Sequence, residues 1–165
     1  MNRQFMVLIA IAGTLGALAV PGTVQNESTV YRVPVTGEIE LGLAPYIQRA
    51  VKEAAEVGAA ALILDIDTPG GRVDAAEIIS DALTDSEVPV YSLVNRRAYS
   101  AGALIALSKS RIYMRPASVI GAATPVDGTG TKAPEKIVSA MRSQMRTRAE
   151  SNGLEPEVAA AMVDE

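Results

Sequence analysis

The sequence predicts an α/β domain in which repeated β-α units build a mostly parallel sheet. Three observations carry that expectation. Apolar runs without internal alternation, above all Ala60–Ile66 (AALILDI), take turns with segments whose apolar residues recur at helical spacing. The resulting order, β-α-β-α-β, calls for parallel neighbours joined by crossover helices. Two turns, Asp67–Asp74 (DTPGGRVD) and Asn95–Gly102 (NRRAYSAG), follow strands and precede helices, at the carboxyl edge where such sheets collect ligands.

Each element has its own justification. Val30–Val35 (VYRVPV) is rich in strand formers, and Pro34, which has no N–H to donate, assigns it to a sheet edge or a bulge. Leu43, Ile47, Ala50, Val51 and Ala54 then recur at helical spacing until Gly58 stops the helix. Ala60–Ile66 is apolar enough for a strand covered on both faces. The next helix runs from Val73 to Leu83 with Ala76, Ile79 and Leu83 as its inner stripe. Val88–Val94 is a strand, Ser100 opens a helix to about Ser108, and Arg111–Met114 is a further strand. A long helix is expected after Lys132, and the PEVAAAMVDE stretch reads as a last helix.

The amino-terminal residues differ in kind. Arg3 precedes an apolar run from Phe5 to Val20, with Ala17-Leu18-Ala19 as a small-residue cleavage site. Residues 1–19 are therefore expected to be a signal peptide, or else a retained anchor, although the run falls short of the ~20 residues that comfortably span a bilayer. Residues 20–29 read as a linker and 30–165 as the folded domain, with the protein exported and associated with the membrane or the space beyond it.

Composition excludes whole classes of chemistry. The chain has 165 residues, 48% hydrophobic and 21% charged, enough for one domain with a core. A net charge of -4, one Phe and no Trp argue against nucleic-acid binding. There is no cysteine and no histidine, which removes disulfides, thiol nucleophiles and the usual ligands of a transition metal; no cofactor or metal is expected.

Ser100 draws attention within that inventory. A serine at a helix start is ordinarily a cap. Here Ala101 and Gly102 follow directly, so the Ala101 N–H, together with that of Gly71, has the arrangement of two donors to a developing negative charge. Gly70 and Gly71 supply a turn that approaches a ligand closely. A bulky residue at Gly71 would displace its N–H without touching the nucleophile. With no imidazole, the base must be Lys, Asp, Glu or Tyr. Lys52 and Lys109 are poorly placed, whereas Lys132 and Lys136 follow a glycine-rich loop at a helix start. Lys136, beside Ile137 and Val138, is expected to be the better buried, as a neutral amine requires.

LILDIDTPGGRVDAA, AYSAGALIALS, VIGAATPV and KAPEKI, in that order and spacing, resemble the serine protease domain of the NfeD family, whose members belong to the Clp-protease and crotonase fold group. The resemblance covers roughly Val30 to Glu165. It implies a Ser-Lys dyad with Ser100 as nucleophile and Lys136 as general base, an oxyanion hole from Gly71 and Ala101, and a turn shaped by Gly70 with Gly102 behind the serine. It also implies an ATP-independent endopeptidase cutting apolar stretches of membrane-associated polypeptides, stomatin- or prohibitin-like partners and a homo-oligomer, dimer or larger. Family domains continue past a helix like PEVAAAMVDE, so a chain ending at Glu165 is expected to be truncated. Two further readings are a non-catalytic membrane scaffold on the same fold and a crotonase-type acyl-CoA hydratase or isomerase. Export, which separates the protein from cytosolic CoA esters, disfavours the last.

Overall fold

A computed structural model describes residues 28–109 and 111–163. The expected signal segment and most of the linker lie outside the described residues. The order is β1 (Val30–Thr36), α1 (Leu43–Glu56), β2 (Ala61–Thr68), α2 (Val73–Thr84), β3 (Val90–Tyr99), α3 (Ala101–Ala106), β4 (Ile112–Met114), β5 (Val119–Gly121), α4 (Glu135–Ser151) and α5 (Pro156–Ala161). All pairings in the five-stranded sheet are parallel, in the order β1-β2-β3-β4, and β5 also pairs with β3. β1 is an edge strand, one of the two positions that Pro34 allows. Gly58 ends α1 with a positive φ of 62°.

One face of the sheet carries the core. Leu62, Leu64 and Ile66 of β2 meet Ile47 and Ala54 of α1 and Ala76, Ile79 and Leu83 of α2, all fully buried. The opposite face is only half covered, contrary to the expectation for Ala60–Ile66. Ala61 and Ile63 are partly exposed, and Asp65 is buried there by a polar chain instead. Arg32 Nε donates to Asp65 Oδ2 (2.9 Å), Asn95 Nδ2 donates to Asp65 Oδ1 (2.9 Å), and Arg115 Nη1 donates to Asn95 Oδ1 (2.5 Å). Burial of a carboxylate is tolerated when its lone pairs are satisfied in this way.

The second glycine-bearing turn is shorter than expected. Asn95–Tyr99 is not turn but strand, because β5 supplies a partner that no local pattern announces: Arg97, Ala98 and Tyr99 pair with Val119, Ile120 and Gly121. β4 accompanies the lower half of β3, Ser92–Val94, and β5 the upper half. α3 is also shorter, closing at Leu107. Among the described residues no helix is long and apolar enough to cross a membrane.

Candidate active site

Two strand ends meet at the carboxyl edge. β2 finishes at Thr68 and runs into Pro69-Gly70-Gly71, where Gly70 and Gly71 have φ of 105° and 149°. Only glycine adopts such values without strain. The turn is pinned from one side by Ile39: Ile39 N–H donates to Gly70 O, and Arg72 N–H donates to Ile39 O, both at 2.8 Å. Because peptide groups alternate in direction along an extended backbone, Gly71 turns its own N–H away from Ile39.

β3 arrives beside this turn after an irregularity. Ile66 lies opposite Val94, but Thr68 lies opposite Ala98, so Asp67 alone faces Asn95, Arg96 and Arg97. Its carboxylate lies 3.4 Å from Arg97 Nε and 3.9 Å from Arg96 Nη1. Arg96 and Arg97 are thus ion-paired across the bulge. Arg72 pairs with Asp74 at 2.5 Å, in solvent.

Ser100 stands where β3 becomes α3, with φ 52° and ψ -120°. This conformation is costly for a residue with a Cβ, about 1–3 kcal/mol. Its N–H donates to Gly121 O at 2.9 Å, which continues the β5 pairing, and its side chain makes no capping hydrogen bond. The ordinary cap role is therefore absent. Ser100 is partly exposed, while Ala101 and Gly102 behind it are buried. A Cβ on Gly70 would lie 2.7 Å from Ser100 Cβ, and one on Gly102 would lie 2.4 Å from the Thr68 methyl, so both glycines are fixed by contact.

The lysines depart from expectation. Lys136, the second residue of α4, is exposed, and Ile137 beside it is 50% exposed. The buried stripe of α4 is Val138, Met141, Met145 and Ala149. At ~100° per residue, a side chain two positions before Val138 emerges on the far side of the helix. Lys132 is also exposed, its ammonium 4.0 Å from Glu135. Burial lowers the pKa of a different lysine, Lys109, with Asp85 opposing. Lys109 follows α3 and lines a groove with Ser86–Tyr91, near the start of β3 and so at the end of the sheet away from Ser100. Sequence reasoning passed over Thr68, Asp67 and Gly121; a threonine before Pro-Gly-Gly is a turn-forming signal for the first of these.

Residues 29–165 match the family model of the NfeD1b N-terminal domain. The chain belongs to this family. The membrane protein NfeD1b of Bacillus subtilis (strain 168) is 44% identical over 139 residues, covering 84% of this chain and 32% of that protein. The membrane-bound protease PH1510 of Pyrococcus horikoshii is 33% identical over 144 residues, covering 82% of this chain and again 32% of the relative. The NfeD1b-type domain here therefore spans about a third of the length of both relatives. Among solved structures, the 1510-N membrane-bound stomatin-specific protease matches in two variants. A serine-to-alanine form gives TM-score 0.77 at 30% identity, covering 82% of this chain and 70% of that one. A lysine-to-alanine form in complex with a substrate peptide gives 0.78 at 29%, covering 84% and 67%. ClpP1 from Listeria monocytogenes, at 21% identity and TM-score 0.66 over 81% of this chain and 79% of that one, shares the Clp-protease-like fold.

Proposed function

We propose that this domain is a serine endopeptidase of a membrane-associated protein, with Ser100 as nucleophile and Lys136 as general base. Ser100 itself carries the proposal. It occupies a strained strand-to-helix elbow at the carboxyl edge of a parallel sheet, uncapped, partly exposed and packed on a glycine turn. Strain of this kind persists where the surroundings enforce it, and a sharp elbow presents a hydroxyl for attack.

Ser100 Oγ attacks the scissile carbonyl carbon while its proton passes to the neutral amine of Lys136. The carbonyl oxygen, now negative, accepts hydrogen bonds from the Gly71 and Ala101 N–H groups. When the tetrahedral intermediate collapses, the C–N bond breaks and the lysine ammonium returns the proton to the departing amine. Water, deprotonated by the same lysine, then hydrolyses the acyl-Ser100 ester. Lys136 is exposed, so this reading requires a cover over it. Substrate or a neighbouring copy of the chain supplies it, in keeping with a homo-oligomer. A lysine-to-alanine variant was the form of the 1510-N protease studied with a substrate peptide, which supports a lysine in this role. That protease's stomatin specificity suggests stomatin-like membrane polypeptides as substrates here.

The exposure of Lys136 also favours a second reading, a scaffold that keeps the cleft without the chemistry. A fluorophosphonate probe on the full-length protein in membranes separates the two. Labelling that vanishes in Ser100→Ala supports the peptidase; a folded wild-type protein that takes no label supports the scaffold.

A further inference from the structure

We propose that Thr68 is the positioning residue of this site, setting the Gly70-Gly71 turn and the start of α3 in one fixed relation. The catalytic consequence rests on the peptidase reading; the geometry does not.

Thr68 is fully buried at the end of β2 and touches the loop after β1, the glycine turn and the start of α3. Its hydroxyl donates to Gly37 O at 2.6 Å, in the loop after β1. A hydroxyl has one proton to give, so toward the turn it acts as acceptor, and Gly70 N–H donates to it at 3.0 Å. The β1 loop is therefore tied to the glycine turn twice, through Thr68 to Gly37 and through the Ile39–Gly71 bridge. The methyl group faces the other way. Thr68 Cγ2 lies 2.4 Å from the place a Cβ on Gly102 would take, so α3 rests on this methyl two residues after Ser100. Thr68 is also the first residue of β2 to regain pairing with β3 after the bulge, opposite Ala98.

Both halves of the side chain are needed. Valine keeps the shape but strands the buried Gly70 N–H and removes the donor to Gly37 O, and an unmatched buried polar group is costlier than a bond never made. Serine keeps both hydrogen bonds but leaves a methyl-sized gap beneath Gly102. The hydroxyl orients the turn that carries Gly71, and the methyl seats the helix that carries Ala101. Two donors converge on one oxygen only while these segments keep their spacing, and a shift near 1 Å costs ~10²-fold in rate.

The experiment compares Thr68→Val and Thr68→Ser in the full-length protein by three readouts: fluorophosphonate acylation, the kcat and KM of peptide cleavage, and hydrogen exchange at the Gly70 amide. Thr68→Val is expected to lower acylation and kcat about 10- to 100-fold with KM changed less than about 3-fold, and to speed Gly70 exchange at least about tenfold. Thr68→Ser restores most of the acylation and keeps Gly70 protected while its Tm falls. The proposal is overturned if folded Thr68→Val acylates at the wild-type rate with Gly70 still protected, or if both variants lose acylation only in step with Tm. If the wild-type protein neither acylates nor cleaves, the peptidase reading has failed, and Gly70 exchange alone decides the positioning claim. Should Thr68→Val not fold, Gly102→Ala takes its place: its Tm is expected to recover when Thr68→Ser removes the opposing methyl, and no recovery rejects the seating of α3 on Thr68.

Discussion

Gly70 and Ser100 are in such close contact that a single added carbon on the glycine would stand 2.7 Å from the serine Cβ and 2.9 Å from the Tyr99 carbonyl. The φ of 105° at Gly70 disfavours any side chain as well. Gly70→Ala is therefore expected to displace Ser100, cutting fluorophosphonate labelling by ~10²-fold. Labelling kinetics on a protein with wild-type circular dichroism check this, and an unchanged rate would sink it.

Ser100 stores strain that can be measured. Replacing it with glycine relieves about 1–3 kcal/mol of backbone strain, against about 0.5–1 kcal/mol lost to the added freedom of the unfolded chain. Ser100→Gly is expected to be net stabilising by about 1 kcal/mol, whereas Ser100→Ala keeps the strain and gains nothing. Denaturant unfolding of both variants distinguishes these outcomes, and equal stability of the two would contradict the strain at φ 52°.

Gly71 has a structural duty besides its N–H. A Cβ there would lie 2.3 Å from Ile39 O, inside any attainable contact distance. Gly71→Val is thus expected to break the bridge to Ile39 and lower Tm together with acylation, rather than to affect acylation alone. A folded variant with unaltered Tm would exclude this close approach.

The two candidate bases separate by mutation. Peptide cleavage is expected to vanish in Lys136→Ala and to persist largely in Lys132→Ala, whose amine is engaged with Glu135. If cleavage survives the loss of Lys136 and fails with Lys132, the base is Lys132.

Asp127 organises the loop ahead of these lysines. Its Oδ1 accepts from Thr129 N (2.8 Å), Thr129 Oγ1 (2.6 Å) and Thr131 N (3.0 Å), and these bonds hold its carboxyl below the usual carboxylate range. A depressed folded pKa contributes stability above the unfolded value near ~4, and that contribution is lost as pH falls through the folded value. Wild type and Asp127→Ala should accordingly differ in Tm at neutral pH and converge in acid. A constant difference across that range would rule out the carboxylate as its source.

Much of this protein is decided by local chemistry. The apolar run through Ile66, the 3.6-residue stripe of Ala76, Ile79 and Leu83, the edge character of Pro34 and the stop at Gly58 each follow from side-chain shape and period, and the parallel β-α order follows from their alternation. Gly70, Gly71 and Ser100 were legible as neighbours at one edge because strand ends in such a sheet converge. Tertiary structure alone decided the remainder. Three-residue β5 has no pattern of its own, yet it turns Asn95–Tyr99 into strand and, through Gly121 O, anchors the Ser100 elbow. The outward face of Lys136 depends on which stripe of α4 meets the core, and that stripe begins at Val138. Thr68 acquires its role from Gly37, Gly70 and Gly102, the first and last of them more than 30 residues away in sequence, and no periodicity encodes a contact between residues that only folding brings together.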